Sequence, residues 1–348
     1  MPTNTHISLK TIVDFCRRKG FVYQSSEIYG GFAATYDFGS LGMQLKKNIE
    51  KCWRYHNVLS RTDMVEIEGA IFMHPKTWEA SGHIGGFSDL LVEDMVTKKR
   101  FRADHLIEDA GIMENAGALT PEQVDEIITD KNLKSPDGNP LGNAKKFNLL
   151  VKTHLGPIED ANSLAYLKGE SCQNIYLNWK AVQETTRRKL PFGIAQIGKA
   201  FRNEITVKQF MFRTREFEQM DVQYFVKPGN EDEGYEFWKQ YTWDFFTKEL
   251  GFSEENLRWR QHDKDELVFY AKDAWDIEYN YGEMGWKEMC GVHNRTSYDT
   301  DQHAKFSGQD LTYFDPETNE RYNPYIVEVS AGFNRMFLAS LFEFYQEK

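Results

Sequence analysis

The chain has 348 residues, room for two domains of ordinary size or one large α/β domain with insertions, and its 41% apolar, 27% charged and 14% aromatic composition excludes disorder and collagen-like repeats. With 42 Lys and Arg against 53 Asp and Glu, the formal charge of −11 excludes a nucleic-acid binder driven by net charge. No run of eighteen apolar residues occurs, and Cys16, Cys52, Cys172 and Cys290 form no CxxC pair; we therefore expect a cytoplasmic chain with reduced thiols, without a membrane span, zinc ribbon or disulfide scaffold.

In chain order, residues 8–19 read as a first helix. Tyr29–Gly39, rich in glycine and aromatics, reads as a turn that other backbone approaches closely. Ser40–Val58 reads as a second helix, with Leu41, Leu45, Ile49, Cys52 and Trp53 on one stripe and Lys46, Lys47 and Glu50 opposite. Lys98-Lys99-Arg100 and Arg187-Arg188-Lys189 read as solvated corners. Thr120-Pro121-Glu122-Gln123 matches a capping box, and Ser135–Pro140 is a turn cluster, so 104–146 reads as a small module inserted into a larger domain. From 147 onward the spacing predicts strands at Phe147–Thr153, Phe192–Glu204, Arg215–Val226, Leu267–Tyr270 and Tyr325–Ser330. Helices are predicted at Tyr235–Leu250 and Asn334–Gln346. The fold class is α+β, an antiparallel sheet flanked by helices. Neither a G-x-G-x-x-G nor a G-x-x-x-x-G-K-[ST] segment is present.

Two of these strands carry an unusual polar face. Alternation places Gln196, Gly198, Arg202 and Glu204 on one side of the first, and Gln219, Asp221 and Gln223 on one side of the second. The intervening loop, Ile205–Thr214, holds Lys208 and Arg213. Such a face is ordinarily the wet side of a half-exposed sheet; a long basic loop followed by acid and amide positions also suits two polar faces that line one cleft.

Several segments resemble, in order, those of the dimeric glycyl-tRNA synthetases within the class II aminoacyl-tRNA synthetases. They are Ser26–Gly31, Tyr36–Gly42, Ser81-Gly-His83, Lys98–Asp104, Phe147–Leu149, Ile194–Ile205, Phe212–Gln219 and Glu328–Arg335. The resemblance covers nearly the whole chain and implies the class II catalytic domain. It also implies ATP-dependent activation of an amino acid, glycine first, and transfer to tRNA. By resemblance Arg202 and Arg335 are catalytic, Arg202 on the α-phosphate and Arg335 on the γ end. Glu204 lies near adenine, Phe212 binds ATP and Arg213 lies over the triphosphate. Glu288 and Glu328 hold Mg²⁺ with ATP. Glu170, Gln219, Asp221 and Ser330 bind the amino acid. The stretch Glu27–Arg54 resembles the family's dimer contact, which implies a homodimer, unless the Leu41-Leu45-Ile49 stripe merely packs inside the subunit.

Departures cluster at the pocket. Where the family has Arg-Pro-Glu-Thr-Ala-Gln-Gly, this chain reads Lys168-Gly-Glu-Ser-Cys-Gln-Asn174. Asp221 replaces Glu, Cys290 replaces an acid that would touch metal or ammonium, and Val329 replaces Pro. A shortened Asp221 and a small Gly169 suggest space for alanine or serine after glycine. The family continues into an anticodon-binding domain, whereas this chain stops at Lys348, so tRNA contact is expected at the acceptor end. Two alternatives stay open: a paralogue loading a carrier protein or small molecule, and an inactive binding or regulatory paralogue.

Overall fold

The computed structural model describes residues 7–113, 116–205, 209–263 and 271–346. The strand expected at Leu267–Tyr270 and Lys208 lie outside them. A seven-stranded sheet runs through the described residues. Its strands are β1 (Met64–Glu66), β2 (Phe192–Phe201), β3 (Glu216–Val226), β4 (Leu257–Gln261), β5 (Asp273–Asn280), β6 (Trp286–Thr296) and β7 (Tyr325–Gly332). The spatial order is β4-β5-β6-β7-β3-β2-β1, antiparallel except for the β1–β2 pair. This is the flanked antiparallel sheet expected from the sequence.

One face of the sheet is apolar. Met220, Val222, Val292, Val327 and Val329 pack there against α1 (Leu9–Lys19), α2 (Ser40–Arg54), α4 (Glu231–Asp244) and α6 (Phe333–Phe344), through Ile12, Ile49, Trp238 and Phe337 among others. Ser8 caps α1 by accepting a hydrogen bond from Thr11 N, and Gly20 ends it in the left-handed region. The other face divides in two. At one end Phe192, Ile194, Phe225 and Ile326 are covered by Ile175, Tyr176 and Trp179 of α3 (Cys172–Thr186). At the other end the same face turns polar, with α5 (Tyr298–Ser307) beside α3.

α2 departs from its expected amphipathicity. Ile49 and Trp53 are buried as predicted, but so are Lys46 and Glu50, while Leu41 is 40% exposed. The Lys46 ammonium lies 3.0 Å from Glu50, pairs with Glu218 on β3 and sits 4.7 Å from the Phe333 ring centroid, so a charged network docks the helix. The predicted Phe147–Thr153 strand divides into Lys145–Asn148 and Lys152–His154, because the chain changes partner between them. Leu149 N donates to Phe87 O, while Asn203 N donates to Leu149 O and Leu150 bridges to Arg202. Ser88–Glu93, Arg100–Arg102 and Lys145–Asn148 form a separate three-stranded sheet. It packs with the helices Ala103–Asp109 and Pro121–Asp130 around Val92, Ile107 and Val124, and Thr120 and Gln123 make the predicted capping box.

Candidate active site

Directly paired residues of neighbouring strands project to the same face. The register therefore lays a row of Gln196, Asp221, Ser330, Gly291 and Asp276 across the polar end of the sheet. Beside it runs a row of Gln223, Glu328 and His293, and on the other flank Gly198, Gln219 and Gly332. A bulge shifts the β5–β6 register, so that Ile277 faces Cys290 but Glu278 faces Glu288. The extra residue, Met289, restores Glu288 to the site face and leaves Cys290 in the apolar cluster with Ile277 and Ala331. Cys290 therefore touches neither a metal nor an ammonium position, contrary to expectation; its thiol is buried on the opposite side of the sheet.

A cleft opens along the Gln219 flank and gathers most of the expected residues: Arg202, Glu204, Phe212, Arg213, Gln219, Glu288, Ser330 and Arg335. Its guanidinium groups are held flat. Arg202 is 4.9 Å from the Phe87 centroid and 5.3 Å from that of Phe217, and its Nε donates to Gly169 O at 3.0 Å. Arg335 covers the Phe212 ring at 4.4 Å and meets the Glu288 carboxylate at 2.9 Å. Arg213 stands 3.7 Å from Glu204. Burial lowers the proton affinity of Arg213, and Arg102 and Arg335 add repulsion to it. Such crowding of cations suits a polyanion.

Behind the cleft lies a drier recess. Gln196 accepts from Gly69 N at 2.6 Å and donates to Ser171 O at 2.7 Å, while Gln219 accepts from Ser171 N at 3.0 Å. Asp221 is buried here, and no group is in hydrogen-bonding geometry with either of its carboxylate oxygens or with the buried Ser171 hydroxyl. Burial, followed by the Glu328 charge, raises the Asp221 pKa to about 7, tempered by the nearby Ser330 and Ser171 hydroxyls. The Lys168 ammonium donates to Gly69 O and Asn174 Oδ1 at 3.2 and 3.3 Å, and burial lowers its proton affinity. Gly169 opens no space for a larger substrate. A Cβ there would lie 2.7 Å from Leu150 Cδ2, so a neighbour already fills the gap.

Glu170 and Glu328 stand outside the cleft lining, tied into a buried polar seam. Glu170 lies 3.2 Å from His83 Nε2 and accepts from Gln173 Nε2 at 2.9 Å. Gln173 reaches Asp299, which Arg295 grips with two hydrogen bonds of 2.9 and 3.0 Å. Arg295 Nη1 donates to Glu328 at 2.9 Å, as does Gln223 Nε2, and His293 Nδ1 is 3.1 Å away. Burial alone would raise the Glu328 pKa, but Arg295 and His293 hold it at about 2. Its oxygens are thus held by Arg295, Gln223 and His293. Lys98-Lys99-Arg100 forms an exposed corner paired with Glu93 and Asp137. Sequence reasoning placed Gln196 on the polar face but missed Arg295, Asp299 and Gln173, the first on a strand and the other two on helices, whose only signal is a polar residue at a position the fold buries.

Comparison with known proteins decides the family. The chain is 48% identical to the glycine–tRNA ligase of Treponema denticola over 344 residues, covering 98% of this chain and 72% of that protein. It belongs to the class II glycine–tRNA ligases. Identity is 46% to the Clostridium acetobutylicum ligase and 44% to that of Staphylococcus epidermidis, each over 98% of this chain and 75% of the relative. The tRNA synthetase class II core domain (G, H, P, S and T) matches residues 157–344. In fold, the chain is similar to the prolyl-tRNA synthetase of Giardia lamblia, solved with prolyl-adenylate, at TM-score 0.64 and 12% identity over 95% of this chain and 52% of that one.

Proposed function

We propose that the chain joins glycine to ATP as glycyl-adenylate, releasing pyrophosphate, and then transfers the glycyl group to the 3′ end of a tRNA. The observation that carries this reading is the juxtaposition of an arginine-lined cleft with a buried carboxylate behind it, Asp221, neither of whose oxygens has a partner in hydrogen-bonding geometry. A zwitterion bound there would pair its ammonium with Asp221 and turn its carboxylate toward Lys168, while Gln196 and Gln219 would fix the surrounding loops. The glycine carboxylate would attack the α-phosphorus of ATP. Arg202, stacked on two aromatic rings and bonded to Gly169 O beside the recess, would stabilise the charge gathered on the phosphoryl oxygens. Phe212 would carry the adenine, Glu204 its polar edge, and Arg213 and Arg335 the triphosphate. Glu288, half exposed on the cleft beside Arg335, is the carboxylate placed to hold Mg²⁺, which would neutralise triphosphate charge. Glu170 and Ser330 complete the recess, Glu170 as a positioning residue through His83 and Gln173.

The small module expected at 104–146 reads as part of a wider unit within this single catalytic domain, since Ser88–Glu93, Arg100–Arg102 and Lys145–Asn148 supply its sheet and Leu90, Val92 and Phe101 its core. Ile28 and Tyr29, each 88% exposed, and the exposed Phe32 support a homodimer through the Glu27–Arg54 stretch. Among the described residues no helix is long and apolar enough to cross a membrane, in keeping with a cytoplasmic enzyme. The test is amino-acid-dependent pyrophosphate exchange with all twenty amino acids, followed by charging of a glycine tRNA. Glycine should give the fastest exchange. A larger amino acid outcompeting it would overturn the specificity; exchange without charging of any RNA would favour a different acceptor.

A further inference from the structure

At the far end of the polar face, beyond Glu328, three side chains converge that the proposed chemistry does not use. His262 follows β4, Asp276 lies on β5 and His293 on β6. His262 Nε2 is 2.7 Å from Asp276 Oδ2, His293 Nε2 is 3.7 Å from Asp276 Oδ1, and one donor atom from each residue lies within 4.8 Å of the others. Two donors bound at about 2.05 Å to a tetrahedral ion sit about 3.3 Å apart, a value these separations bracket. The 3.7 Å separation is too long for a hydrogen bond.

The surroundings are those of a metal ligand. His293 Nδ1 lies 3.1 Å from Glu328 Oε2. Donation of the Nδ1 proton to that carboxylate turns Nε2 toward Asp276, the carboxylate–histidine arrangement that orients imidazole toward metals, and a bound ion would displace the proton that the two carboxylates otherwise hold on Nε2. His293 Nε2 is itself buried and has no hydrogen-bond partner. Glycine at 291 is what lets these atoms lie against the strand backbone: a Cβ there would lie 2.6 Å from His293 Nε2 and 3.3 Å from Asp276 Oδ1. Glu328 is already matched by Arg295, whereas the partners of Asp276 are His262 and His293 themselves, so a cation taken by the three would exchange with the histidine protons. His262 is partly exposed and gives access from solvent.

We propose that His262, Asp276 and His293 bind one divalent transition-metal cation, zinc by ligand type, with Glu328 fixing His293. The ion would pin the β4–β5–β6 edge and is separate from any Mg²⁺ that accompanies ATP. The two-histidine, one-carboxylate set is typical of such ions, and the absence of thiolate ligands gives it a distinct spectrum.

The test is titration of the full chain, stripped with a chelator, with Co²⁺. We expect visible bands saturating at one equivalent, no thiolate charge-transfer absorption, displacement by one equivalent of Zn²⁺, and a higher melting temperature with Zn²⁺ bound. His262→Gln, at a partly exposed position, should weaken binding about 100-fold. Gly291→Ala should weaken it while keeping every donor. Absence of stoichiometric binding by the unaltered chain up to about 1 mM Co²⁺ would overturn the proposal whatever the variants do. So would a thiolate spectrum, or equal binding by folded His262→Gln.

Discussion

Asp221 illustrates how burial can prepare a group for its substrate. With a folded-state pKa raised to about 7 by burial and then by Glu328, it is uncharged below neutrality and pairs with an ammonium only as a carboxylate. Below its pKa, glycine binding must release a proton, so KM for glycine should rise about tenfold per unit as pH falls from 7. Asp221→Asn should remove that slope and raise KM at pH 8. Stability moves the other way. Because the folded pKa exceeds the usual value of about 3.9, the unfolded chain loses this proton first and stability falls as pH rises from about 4 to about 7. Asp221→Asn should therefore melt higher than the unaltered chain at pH 8; an unchanged melting temperature would show that the carboxylate is not strained by burial. Arg202→Ala should slow pyrophosphate exchange by about 3 kcal/mol of transition-state stabilisation, on the order of 100-fold. Full exchange by that variant would remove Arg202 from the mechanism.

At the scale of elements, glycines decide how closely the helices approach. A Cβ on Gly42 in α2 would lie 1.9 Å from the carbonyl oxygen of Phe21, on backbone that cannot turn aside. Helix propensity alone predicts that Gly42→Ala stabilises by about 1 kcal/mol. The contact predicts the opposite, a loss of about 1–3 kcal/mol as α2 is pushed outward, and the sign of the change in a denaturant melt separates the two. Strands β2, β3 and β7 were legible because their alternation is regular over most of their length. The β5–β6 hairpin was not: Asp276, Glu278, Asn294 and Arg295 are buried, and the bulge at Met289 breaks the period. Helix α3 could have been found from Ile175, Trp179 and Val182, whose spacing is helical. Burial of Lys46 could not, since its partner Glu218 lies 172 residues away. The cleft arginines were legible from motif order, whereas the placement of Cys290 and Gly169 depended on strand parity and on Leu150.

At the scale of the whole molecule, the exposed Ile28, Tyr29 and Phe32 should mark the twofold contact. Sedimentation of the unaltered chain should give a dimer, and Ile28→Asp with Tyr29→Asp should shift it toward monomer at micromolar concentration without lowering the melting temperature of the monomer's own core. A dimer that survives both changes would place the contact elsewhere. The polar seam reaches across the molecule as well, from His83 and Glu170 through Asp299, Arg295 and Glu328 to His293. Each member satisfies the next, so exchanging one alone strands its neighbour in a dry interior. This constrains how the protein can change in evolution or design. Single substitutions along the seam will mostly fail, and their effects will not add. A new amino-acid specificity is reached more readily through Asp221 and Ser171, which stand outside the seam, or through compensated pairs within it. Changes to the pocket are therefore expected to succeed as linked steps and to fail as independent ones.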